Sequence, residues 1–93
     1  MGTNKLFPFM IRGAVIDCDT TMKMGLYHFT SSSKTAPFSN TLGELIVTNH
    51  YGQSSWTIQI AIASKGSTLF FRSTGGESFE GVPWQMLQGT ALS

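Results

Sequence analysis

The chain has 93 residues, with six Lys and Arg against five Asp and Glu and a formal charge of +1, a length that suits one domain and is too short for two separately cored ones. Its charges are scattered, so the dense basic footprint that nucleic acid demands and the polybasic cluster that holds a protein to an anionic membrane are both missing. Charged residues make up 12% of the chain and hydrophobic ones 41%, few charges for a lone soluble domain, and this balance predicts that copies of the chain cover part of its surface.

Residues 1–11 read as a lead-in segment. Its apolar stretch, Leu6-Phe7-Pro8-Phe9-Met10-Ile11, is short, is interrupted by Pro8 and is followed by no small-residue cleavage pattern. It therefore resembles neither a signal peptide nor a membrane span. Residues 12–17 (RGAVID) form the first strand candidate, and Asp19-Thr20-Thr21-Met22 offers a cap-like start for at most one helical turn. Cys18 is the single cysteine, so no intrachain disulfide or cysteine-built zinc knuckle forms, and the thiol reads as a small half-buried hydrophobe.

Residues 25–30 (GLYHFT) alternate Leu26, His28 and Thr30 with Tyr27 and Phe29, the pattern of a strand that buries its aromatic side. A polar loop ending at Pro37 and an irregular stretch to Gly43 follow. Residues 44–51 (ELIVTNHY) resume the alternation, and Gly52-Gln53-Ser54 supplies a turn. Residues 55–73 then read as a two-faced hairpin turning at Ser64-Lys65-Gly66-Ser67. On its first strand Trp56, Ile58, Ile60 and Ile62 share one side and Thr57, Gln59, Ala61 and Ala63 the other. The isoleucine side is expected to form the domain core. The side of Gln59, Ala61, Phe70 and Arg72 is expected to pack against another chain, with Gln59 and Arg72 as a structural polar pair.

Gly75-Gly76 break the hairpin, a loop runs to Pro83, and residues 84–87 (WQML) read as a closing edge strand with Pro83 tolerated at its start. The sum is an all-β fold: a small antiparallel meander sheet of about five or six strands, a common sheet size, with long loops and at most one helical turn. Residues 12–88 would be the folded domain and residues 89–93 a frayed tail.

These segments carry a resemblance. The order RG, a strand, D.DTT, GLYHF, a loop ending in AP, then GELIV, W.IQIA, a glycine turn, LFFRS and PWQML resembles the pyocin-knob type domain of phage tail fibres and R-type pyocin fibres. Its motifs fall on Gly25 and Tyr27, Ala36 and Pro37, Gly43 with Leu45 and Val47, Gln59 with Ala61, Phe70 with Arg72, and Trp84 with Leu87. The chain departs from the pattern in two places. Gly81 stands where the first Trp of a closing Trp-x-x-Trp is usual, with Phe79 two positions earlier, and Phe70 replaces the common Tyr.

The resemblance implies a structural and adhesive module, a homotrimeric knob in the tail fibre of the virion, made in the bacterial host cytoplasm. It would contact other fibre segments and bacterial surface polysaccharide or lipopolysaccharide, without membrane insertion. Sugars are held by planar donors and acceptors beside an apolar ring face, which nominates Asn49, His50, Tyr51, Gln53, Trp56 and Trp84, and receptor contacts are expected in the loops around the hairpin, at residues 31–39, 49–55 and 75–81. A free-standing carbohydrate-binding or protein-interaction β domain is the alternative. A small hydrolase using Asp17 or Asp19 with Glu44 is a third reading, although no nucleophile elbow, phosphate-cradling loop or paired-histidine motif accompanies them. No catalytic residue, cofactor or metal site is assigned, since His28 and His50 have no third ligand at a useful spacing.

Overall fold

The computed structural model describes residues 10–38, 42–49, 56–64 and 68–92. Their strands form one sheet in sequence order: β1 (Ile11–Ala14), β2 (Gly25–Phe29), β3 (Gly43–Asn49), β4 (Thr57–Ala63), β5 (Thr68–Thr74) and β6 (Gln85–Gln88). The domain is all-β, and among the described residues the one helical element is the 3₁₀ turn Cys18–Thr20. From β2 to β6 every neighbouring pair is antiparallel. The meander has one exception: β1 runs parallel to β2. A parallel pair needs a crossover instead of a tight turn, and residues 15–24, with the 3₁₀ turn among them, supply it.

Gly25 makes that pairing possible. Its φ is +154°, and a Cβ there would lie 2.6 Å from Arg12 Cγ and 2.7 Å from the Met10 carbonyl oxygen. That oxygen accepts a hydrogen bond from the Leu26 N–H. Ile11, counted with the lead-in on sequence grounds, is thus the first residue of the sheet.

Strand alternation sorts side chains onto two faces. On β3, Gly43, Leu45 and Val47 are buried while Glu44 is exposed; on β4, Thr57, Gln59 and Ala61 are buried while Ile58 and Ile62 are exposed. The buried face is covered by the chain's own 3₁₀ turn and loops. Val15, Cys18, Phe29, Leu45, Val47 and Ala61 form the core, with Phe38, Phe70 and Trp84 packed against it. Three rings run through it, Phe29 edge-on to Phe38 at 5.0 Å between centroids and Phe38 tilted on Phe70 at 5.8 Å, separations at which aromatic pairs attract beyond their buried area.

The hairpin faces are therefore the reverse of the sequence expectation. Trp56, Ile58 and Ile62 are 55%, 38% and 40% exposed, whereas Gln59 and Ala61 are fully buried and Arg72 is 5% exposed. Polarity was the misleading signal, because polar groups that bond one another are buried at little cost.

Candidate functional site

The polar centre beneath the sheet is assembled around two register partners, Gln59 on β4 and Arg72 on β5. Arg72 Nε donates to Gln59 Oε1 at 2.8 Å. The amide nitrogen of Gln59 then donates to the carbonyls of Cys18 at 2.7 Å and Thr21 at 3.0 Å. One side chain in the sheet thereby caps the 3₁₀ turn below it. Arg72 Nη1 donates to the Val82 carbonyl at 2.9 Å, and Nη2 lies 3.1 Å from Asp19 Oδ1, a close ion pair too far off the N–H axis to be a hydrogen bond. The guanidinium carbon is also 4.2 Å from the ring centroid of Trp84 and 4.6 Å from that of Phe79, within cation–π range. Burial pulls the Arg72 pKa below its ordinary value, and the Asp19 carboxylate opposes the shift.

The 3₁₀ turn is locally determined. Asp17 is its N-cap, accepting at Oδ1 from the Asp19 N–H at 3.0 Å and from the Thr35 hydroxyl at 2.7 Å. The Thr35 hydroxyl, and then the Asp19 N–H, hold the Asp17 carboxyl below its usual pKa, since bonds to the charged form favour it. Cys18 is fully buried beside them, and desolvation pushes its thiol up to about 12.

The glycan candidates meet different fates. Trp56 is exposed at the start of β4. Asn49 is half-buried, and its amide donates to the Met22 carbonyl at 3.1 Å and the Thr57 hydroxyl at 2.9 Å. Trp84 is half-buried against the core, and its indole N–H donates to the Thr35 carbonyl at 3.1 Å. His50, Tyr51 and Gln53 lie outside the described residues. The three expected receptor loops do not share one end of the sheet. Pairing of Phe29 with Gly43 sets residues 30–38 at one end, whereas Asn49, Thr57 and Thr74, aligned in register, set residues 75–84 at the other, and residues 50–55 lie outside the described ones. Within the first loop, Ala36 and Phe38 turn inward and pack on the core.

The assembly candidates Gln59, Ala61, Phe70 and Arg72 are instead interior residues of the domain. The first, second and fourth are buried, and Phe70 packs half-buried against the core. Their covering layer is the chain's own turn and loops, because Gln59 and Arg72 find every partner named above within the chain. The hydrolase carboxylates are not brought together either. Asp17 caps a turn and Asp19 pairs with Arg72 beneath the sheet, while Glu44 projects from the opposite face, paired in register with His28 and Ile62. Among the described residues no group of three or more His, Cys, Asp and Glu gathers as a metal site.

Asp19, Phe79 and Val82 were missed as partners of Arg72. The sequence does carry one pointer to Phe79, its position two residues before the place of the usual Trp. Nothing local announces the others, because the contacts join the turn to a loop far along the chain. Compared with family models, curated proteins and solved structures, the chain matches none.

Proposed function

We propose that this chain is a structural and receptor-binding module of a phage or phage-derived tail fibre, a trimeric knob presented to bacterial surface glycans. The observation that carries the proposal is the convergence of the motif residues. Gln59, Ala61, Phe70, Arg72, Leu45, Val47 and Trp84 meet beneath one sheet and lock it to the covering turn and loops. Their arrangement suits a rigid support: the one buried charge among the described residues is paired and stacked, and its partners are backbone and side-chain groups of the same chain. The motif order along the sequence is the other support, and it fits a family whose members are built for attachment.

Receptor contact falls to the end of the sheet where Trp56 stands. An exposed indole offers the flat apolar face on which a pyranose ring stacks, and Trp84 cannot serve equally because its N–H and one ring face are engaged. On an array of bacterial polysaccharides and lipopolysaccharides, the full chain is expected to bind at least one glycan. Trp56→Ala should weaken that binding about tenfold or more, a typical loss for a buried aromatic contact. Binding unchanged by Trp56→Ala removes this residue from the site, and failure to bind any glycan removes the receptor-binding half of the proposal.

A further inference from the structure

The face of the sheet turned away from the 3₁₀ turn is apolar across all six strands. One continuous row, each residue paired with the next, runs Ile11, Leu26, Ile46, Ile60, Phe71 and Gln85. The neighbouring row adds Ile62, Leu69 and Leu87 after His28 and Glu44, and Ile58 stands in a third, shorter row between Thr48 and Ser73. None of these side chains is buried, and Ile11, Ile58, Ile62 and Leu87 are 86%, 38%, 40% and 58% exposed. A sheet with apolar side chains on both faces needs a layer on each, and the described turn and loops cover only the other face.

We infer that this isoleucine face is the contact between copies of the chain, each sheet turning it toward a common axis. The inference rests on the trimeric reading above and gives that reading its contact surface. Two side-chain rows across six strands and a third across three, with strands about 4.8 Å and rows about 7 Å apart, span roughly 500 Å² in projection. That approaches the roughly 800 Å² of accessible surface per partner that a stable protein–protein interface buries. The chemistry selects a second copy over a polar partner. His28 and Glu44 are the only ionisable groups in these rows, and they lie across from one another toward one end. The middle of the patch consists of branched aliphatic side chains and Phe71, the material of sheet-on-sheet packing. Such a face complements itself without opposite charge.

The test is the mass of the full chain in solution, by light scattering and sedimentation, for the parent and for Ile58→Lys and Ile62→Lys. Both positions are exposed in the single chain, so circular dichroism should show each variant folded. The parent is expected as a trimer, and each lysine is expected to raise the dissociation constant about thirtyfold or more, the effect of disrupting an interface hot spot. A trimer untouched by both substitutions overturns the inference and leaves the fibre reading standing. A dimer dissolved by them keeps the contact face and overturns the three-fold arrangement. A parent chain that is monomeric at about 0.5 mM, far above a micromolar dissociation constant, overturns both. Removing residues 1–9 from such a monomer and finding new dye binding would assign the face to Leu6, Phe7 and Phe9 instead.

Discussion

Arg72 concentrates more of the fold's specificity than any apolar core residue, because one planar cation joins β4, the 3₁₀ turn and the loop before β6. Removing it leaves Gln59 Oε1, the Val82 carbonyl and Asp19 without their partner in a desolvated setting. Arg72→Ala should therefore cost about 3–5 kcal/mol in urea unfolding, the usual loss when one member of a buried pair is deleted. Arg72→Lys recovers little, since an ammonium cannot present the guanidinium fork. Gln59→Ala should cost about 2–3 kcal/mol by exposing the Cys18 and Thr21 carbonyls to an apolar void. Because the two residues share a hydrogen bond, the double variant should lose less than the sum of the singles.

Cys18 gives a second prediction at this scale. Its thiol moves from 9.0 to about 12 on burial. In the unfolded chain the thiol loses its proton near pH 9, while the folded chain keeps it to about 12. This site thus leaves stability unchanged below pH 9 and lowers it progressively between pH 9 and 12. Native protein should resist thiol reagents at pH 8 and react once unfolded. If urea midpoints stay level across that alkaline window in the parent yet fall in Cys18→Ala, the assignment fails.

Among the elements, the pairing of β3 with β4 tolerates least. Gly43 is buried opposite Ala63, and a Cβ there would run into the Ile62 carbonyl oxygen and lie 3.0 Å from Ala63 Cα. Both obstacles are backbone, which cannot swing aside like a side-chain tip. Gly43→Ala should cost about 1–3 kcal/mol, the penalty of overpacking, with a lower urea midpoint as the readout. A midpoint unchanged from the parent would mean that the strands separate there at no cost.

The positions of β2 through β6 were legible in the sequence from period-two alternation bounded by Gly, Pro or polar turns, and the candidate at residues 12–17 overlaps β1 but runs past its end at Ala14. The direction of β1 was not legible. Alternation is identical for parallel and antiparallel strands, and the choice is made by the crossover at residues 15–24 and the space left by Gly25. The faces of the hairpin misled for a related reason. Both sides of β4 and β5 carry apolar residues, so the lone polar groups were taken to mark the side that packs against another chain. What decides is satisfaction: Gln59 and Arg72 bond each other and the backbone below, while among the described residues no turn or loop covers the exposed Ile58 and Ile62.

For the whole molecule, low charge and an apolar outer face are one fact seen twice. The sequence contains too few ionisable groups to cover its surface, and the structure gathers the uncharged deficit on one side of the sheet. The proposed association through this face would make folding and assembly linked equilibria. Melting temperature should rise with protein concentration in the parent chain and become independent of it in Ile62→Lys. Scanning calorimetry over a hundredfold range of concentration measures this directly, and a parent melting temperature that ignores concentration contradicts the link. The loops nominated for receptor contact were only partly legible at this scale. Their sequences identify them as loops, but which end of the sheet each occupies depends on strand register.

The stacking of Arg72 on Trp84 gives the molecule a built-in optical marker. The two tryptophans of the chain occupy contrasting surroundings: Trp56 faces water, and Trp84 lies against a cation with its N–H bonded to Thr35. Emission from Trp56 follows events at its own end of the sheet, while the fixed, asymmetric setting of Trp84 gives near-ultraviolet dichroism that follows closure of the loop onto the core. Recognition and integrity can thereby be watched separately, in one sample, without a label.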